Sequence, residues 1–123
     1  MSASNRPLSP HLQVYKLPLT GIISITHRIT GVALAFGLLF FAYSFFAIAA
    51  GIESYLNLQN LLNHPFGQLS LWLFIYALFF HLCHGIRHLI WDVGLSFDKA
   101  QMNKNAAIEL AASLTLTLGA FLF

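Results

Sequence analysis

Charge is what this chain has least of. Its 123 residues include four acidic and six basic side chains, 8% in all, against 58% hydrophobic residues and twelve phenylalanines. A soluble domain carries roughly 25% charged residues, so an ordinary water-exposed globule is excluded. Cysteine is almost missing as well. Cys83 stands alone, which rules out a disulfide within the chain and leaves no thiolate set for an iron–sulfur cluster. No glycine-rich flavin fingerprint, internal repeat or low-complexity stretch is present. The net charge of +2 carries no message about nucleic acid, because these few charges serve topology.

What is present is long apolar runs. Residues 29–50 hold no charge over 22 positions, residues 69–86 none over 18, and residues 106–123 only Glu109. About 20 helical residues cross a hydrocarbon core. The runs are continuous instead of alternating, and three strands cannot close a barrel. The expected fold is therefore all-α: one integral membrane domain over residues 1–123, with spans at about 25–50, 69–93 and 106–123. A polar arm over residues 1–22, irregular because of Pro7, Pro10 and Pro18, is expected to lie on the membrane surface or under a partner. Between the first two spans, Glu53-Ser54-Tyr55-Leu56-Asn57-Leu58 and the residues up to Leu62 have the spacing of a short interfacial helix.

The basic residues fall on one side. Arg6, Lys16 and Arg28 precede the first span, Arg87, Lys99 and Lys104 lie between the second and third, and residues 51–68 have none. The positive-inside rule places the N-terminus and the 95–105 loop in the cytoplasm, and the C-terminus on the periplasmic side. The first span begins too late and runs too long for a cleaved signal, and the first sixteen residues do not read as a transit peptide. A bacterial inner membrane is the expected address, with the mitochondrial inner membrane as the alternative. Tyr55, Trp72 and Trp91 suit the interfacial aromatic belt.

Ionisable groups inside a bilayer are costly and usually functional. His81, His84 and His88 are spaced i, i+3, i+7 and share one helix face. His81 lies about 10 Å deeper than His88 at 1.5 Å per residue. Gly85, one turn beyond His81, opens that region to a flat cofactor or a neighbouring helix. Ser24, Thr26, His27 and Arg28 fall at the cytoplasmic end of the first span, level with Arg87 and His88. Hydroxyl, imidazole and guanidinium groups at one depth suit carboxylate or carbonyl ligands. A neutral imidazole at mid-bilayer suits haem iron, but no second axial ligand stands opposite His81: Met1 and Met102 are outside the spans and His27 lies nearer the surface. A six-coordinate haem would take its other ligand from another chain. Covalent c-type attachment is excluded, since no Cys-x-x-Cys-His occurs.

Plainer readings stand beside these. His81 can be a packing residue bonded to a neighbouring helix. Arg28 and Arg87 can be interfacial anchors, and Ser24 a small residue at a helix contact. Trp91 and Asp92 read as a boundary anchor and a cap, and His11 and His64 as surface residues. Zinc on His81, His84 and His88 is conceivable in a more polar shell than this face offers.

Residues 6–31 (RPLSPHLQVYKLPLTGIISITHRITG) and 81–94 (HLCHGIRHLIWDVG) resemble the two signature regions of the cytochrome b membrane-anchor subunits of succinate dehydrogenase, respiratory complex II. The resemblance covers essentially the whole chain. It implies a haem b held between this chain and a second membrane-anchor subunit. It also implies a ubiquinone site near the cytoplasmic surface, fed by the iron–sulfur subunit, which takes electrons from a succinate-oxidising flavoprotein subunit. By position, His81 matches the axial haem ligand, with His84 as the alternative. Ser24 and Arg28 match the quinone site, and His27 and Arg28 match positions near the haem propionates. Such a chain would carry electrons within a complex and catalyse nothing alone. The competing readings are a haem-free anchor and a metal-handling membrane protein.

Overall fold

The computed structural model describes residues 16–122. Arg6, His11, Pro7 and Pro10 therefore lie outside the described residues. Four helices follow in order: α1 Leu19–Ala49, α2 Ile52–Asn63, α3 Pro65–Asp92 and α4 Lys99–Leu122. α1, α3 and α4 are each long and apolar enough to cross a membrane. Their 31, 28 and 24 residues reach about 46, 42 and 36 Å at 1.5 Å per residue, against a hydrocarbon core of about 30 Å. The chain is an all-α membrane protein.

Backbone chemistry sets the breaks. α1 starts after Pro18, whose carbonyl accepts from Gly21 and Ile22 N–H at 2.9 and 3.1 Å. It ends before Gly51, whose φ of 110° is open to glycine and strained for other residues. The junction of α2 and α3 is a single residue. His64 closes one helix and caps the next, its Nδ1 accepting from Phe66 N–H at 3.3 Å. Pro65 sits at the first helical position, where its missing N–H costs nothing. The short amphipathic helix expected around residues 53–62 is α2.

All three long helices start before the spans read from the sequence, α3 at Pro65 against residue 69. α1 begins at Leu19, inside the stretch read as an irregular arm, and α4 begins at Lys99, seven residues before the apolar run. The α1 and α4 extensions lie outside the hydrocarbon-length run and mix polar residues such as Thr20, Ser24, Gln101 and Lys104 with apolar ones such as Ile22 and Ile23. Apolarity marks where a helix needs the bilayer, not where it stops.

α1 and α4 each run antiparallel to α3. Phe74 of α3 lies against Gly37 of α1, so close that a Cβ there would fall 1.7 Å from the ring. At the far end Trp72 stacks on Phe121 of α4. The apolar core is small: Ile23, Phe80 and Ala106, one from each long helix, flanked by Tyr76 and Leu110. Most other interior positions are polar: Thr30, His84, Arg87, Glu109, Ser113 and Thr117 are all buried. Large apolar side chains such as Phe36, Leu39 and Phe46 face outward. Polar inside and apolar outside is the arrangement a lipid solvent rewards, since backbone and side-chain polar groups find partners only within the bundle.

Candidate functional site

The polar interior is concentrated where the N-terminal third of α1, the C-terminal third of α3 and the start of α4 meet. His81 is half-buried there. Its Nδ1 lies 3.2 Å from the His27 carbonyl oxygen and 3.3 Å from Thr30 Oγ1. The Thr30 hydroxyl donates its own hydrogen to that same His27 carbonyl at 2.9 Å. Both oxygens therefore face Nδ1 as acceptors, and Nδ1 carries the proton. Nε2 is left with a free lone pair, and no described residue bonds to it. Gly31 makes the room, since a Cβ there would stand 3.0 Å from His81 Cε1. Beyond lies an open apolar groove of about 440 Å³ lined by Gly31, Leu34, Gly37, Phe41, Phe74 and Leu78.

His27 is half-buried, and its ring stacks on His81 with centroids 3.9 Å apart and planes 14° from parallel. Its rings-to-ring distances to His84 and His88 are longer, 4.6 and 5.5 Å. The sequence reading set His27 level with Arg87 and His88. It lies beside His81, its ring stacked there, and also 5.5 Å from His88.

His84 shares the helix face of His81 in the sequence but not its surroundings. It is 1% exposed, and its Nδ1 donates to Glu109 Oε1 at 2.7 Å. Arg87, 5% exposed, donates through Nη1 to the other carboxylate oxygen at 3.2 Å and through Nη2 to the Met102 carbonyl at 2.7 Å. Its guanidinium carbon lies 4.7 Å from the Trp91 ring centroid. Arg87 is thus an internal tie between α3 and α4, not an anchor reaching for headgroups, and half-buried Trp91 is its platform. His88 is exposed, its ring edge-on to His84 at 4.8 Å. One ring nitrogen from each of His27, His84 and His88 lies within 4.8 Å of the other two. The trio that converges is therefore this one, and not His81, His84 and His88.

Ser24 is half-buried and Arg28 exposed, one turn apart on α1 beside the face that carries Ile23, His27 and Thr30 into the bundle. Neither makes a side-chain hydrogen bond among the described residues. Gly85 has nothing within 4 Å of where a Cβ would stand, so among the described residues no other helix fills the opening. Asp92 and His64 are exposed.

A family model described as succinate dehydrogenase/fumarate reductase transmembrane subunit matches residues 2–120. The chain is 40% identical over 116 residues to the succinate dehydrogenase cytochrome b556 subunit of Rickettsia felis, covering 94% of this chain and 90% of that one. It is 36% identical over 118 residues to the b556 subunit of Paracoccus denitrificans, covering 96% and 91%. Against the mitochondrial cytochrome b560 subunit of Homo sapiens it is 34% identical over 118 residues, covering 94% and 70%. The chain belongs to the succinate dehydrogenase/fumarate reductase transmembrane subunit family.

For a transmembrane subunit of this family, two residues carry more of the site than the sequence reading assigned them. Thr30 was part of the motif Ser-x-x-His-Arg-x-Thr-Gly, but its action on His81 becomes evident only when α1 and α3 are in register. Glu109 was noted only as the single charge of its span. That isolation was the available signal, since an unpaired carboxylate at such a depth is expected to have a partner.

Proposed function

We propose that this chain is the haem b anchor subunit of a succinate:ubiquinone oxidoreductase. It would sit in a bacterial inner membrane with its N-terminus cytoplasmic and its C-terminus periplasmic, in complex with a flavoprotein subunit, an iron–sulfur subunit and a second membrane-anchor subunit. The basic residues at the shared end of α1, α3 and α4 support that orientation. Identity to subunits from Rickettsia and Paracoccus supports the bacterial address.

One observation carries the haem assignment. His81 offers an unprotonated Nε2 beside an apolar groove, with its ring fixed through Nδ1 by the His27 carbonyl and Thr30. Imidazoles that ligate metals are held in this way, the second nitrogen donating to a carbonyl or carboxylate that sets tautomer and orientation. The residues therefore fit the group. His84 has the same tautomer, but its Nε2 is sealed inside the bundle, which favours His81 as the ligand from this chain. A second ligand would come from the partner anchor. His27 and Arg28 would offset the haem propionates. Bound there, the haem supplies a one-electron redox centre between the two anchors.

The remaining chemistry belongs to side chains of α1. Ser24 would hydrogen-bond a ubiquinone carbonyl oxygen. Arg28, one turn on and unpaired among the described residues, would stabilise the negative charge that develops on quinone oxygens during reduction. The exposure of a guanidinium this far along a spanning helix is itself a reason to expect cover from a partner or ligand.

Purification through a tag on this chain tests the assignment. The expected preparation contains three further subunits and one haem b by pyridine haemochrome, and reduces ubiquinone with succinate. A four-subunit complex without haem would leave a haem-free anchor as the account. Recovery without the other subunits would overturn the proposal.

A further inference from the structure

The segment between α3 and α4 carries an apolar surface that no span explains. Val93, Leu95 and Phe97 are 71%, 60% and 62% exposed. Phe36 and Leu39 are as exposed, but they lie along the body of α1, where lipid covers them. The belt residues Trp72 and Trp91 of α3 stand about 28 Å apart at 1.5 Å per residue, so they bracket a hydrocarbon core of about 30 Å. Residues 93–97 follow Trp91 and fall beyond that core. They lie at the end of the bundle where Ser24 and Arg28 of α1 also stand.

The segment has a fixed shape. Gly94 and Ser96 have φ of 81° and 67°, a conformation that glycine takes freely and serine only at a cost. Gly94 N–H donates to the Trp91 carbonyl at 2.8 Å, and Leu95 N–H to the Ile90 carbonyl at 3.3 Å. Asn105 of α4 donates through Nδ2 to Ser96 Oγ, which ties the loop to the next helix. A fixed loop that keeps three large apolar side chains exposed is preorganised for a partner.

Lipid is the wrong cover. Asp92 and Asp98, both exposed, flank the three side chains and would be carried into the membrane with them, at high cost. Lys99 and Lys104 only balance these carboxylates, so an anionic leaflet exerts no net pull on residues 92–104. An apolar centre rimmed by charged side chains is the anatomy of a protein–protein interface.

We propose that Val93, Leu95 and Phe97 form the apolar centre of the surface on which the iron–sulfur subunit docks. The inference rests on the function proposed above. This chain has one cysteine and so no cluster of its own. Electrons bound for a quinone at Ser24 and Arg28 therefore arrive from a subunit that covers this end of the bundle. The second anchor has another place, the flank of α3 around Gly85, which no described residue fills.

The test uses the whole complex purified through this chain, with photoreactive p-benzoylphenylalanine in place of Phe97 or, as the control, of Phe36. Irradiation should join position 97 to the iron–sulfur subunit and should not join position 36 to it. Leu95→Ser combined with Phe97→Ser gives an independent measure. Succinate oxidation with an artificial electron acceptor should move from the membrane to the soluble fraction, with retention falling roughly tenfold or more. Membrane haem should stay at the wild-type level, which shows that this chain is still folded. Cross-linking of position 97 only to the second anchor or to lipid would overturn the docking surface and leave the proposed function standing. Full retention in the double variant would overturn it as well. A preparation without any iron–sulfur subunit would overturn both.

Discussion

Glu109 joins two donors, His84 and Arg87, across the α3–α4 contact, and all three side chains are at most 6% exposed. Removing the carboxylate with Glu109→Ala strands a guanidinium that keeps only the Met102 carbonyl and leaves the His84 N–H unpaired. Breaking one side of a buried ion pair costs about 3–5 kcal/mol. Neutral interhelical hydrogen bonds in membranes average about 0.6 kcal/mol, so the stranded charge dominates, and Glu109→Ala should lose about 3–5 kcal/mol. Arg87→Leu combined with Glu109→Gln removes both charges and keeps an acceptor for His84. It should fall within about 1–2 kcal/mol of wild type, because replacing a buried ion pair by uncharged groups is often close to neutral. The assay is equilibrium unfolding in mixed micelles with rising SDS, followed by helicity. A double variant as unstable as the sum of its single changes would show that the two charges are not coupled, and would refute the reasoning.

Other perturbations follow from single contacts. Gly37→Leu places side-chain atoms where the Phe74 ring now lies and should cost about 1–3 kcal/mol by overpacking, with partial recovery when Phe74→Ala is added; thermal inactivation of the purified complex reads both. Thr30→Val removes one of the two acceptors facing His81 Nδ1 and should lower stability by about 0.5–1.5 kcal/mol in the same micelle unfolding assay. Haem content should stay near wild type, because the His27 carbonyl still sets the tautomer. Ser24→Ala should leave the haem spectrum in place while lowering ubiquinone reduction. Arg28→Ala should lower ubiquinone reduction and also haem occupancy, because the same guanidinium is proposed to offset a propionate. Steady-state kinetics should show a raised KM for Ser24→Ala and a lowered kcat for Arg28→Ala.

The three spans were legible because lipid imposes one simple demand, a run of about 20 apolar residues, and residues 29–50 and 69–86 meet it without a charge. The helix ends were not. Thr20, Ser24, Thr26 and His27 look unlike membrane helix, yet Thr26 returns its hydroxyl to the Ile22 carbonyl at 2.9 Å, and α1 continues through all of them. His27 sits within that helix, stacked on His81 and 5.5 Å from His88. The histidine face of α3 was also visible as spacing. Its division was not, because His81 meets α1 and His84 meets α4, and which helix lies on which side is a property of packing. Arg87 shows the same limit. A basic residue near the end of a span reads as an anchor, and only the position of Glu109 on another helix makes it an interior tie.

The central claim is that His81, through the nitrogen its Nδ1 contacts leave free, binds haem iron. It is tested most directly by the reduced-minus-oxidised spectrum of the purified complex in wild type, His81→Ala and His84→Gln. A b-type band present in wild type and His84→Gln, lost in His81→Ala and restored there by added imidazole, is the predicted result. A band that survives in His81→Ala and disappears in His84→Gln would contradict it and move the ligand one turn toward the C-terminal end of α3.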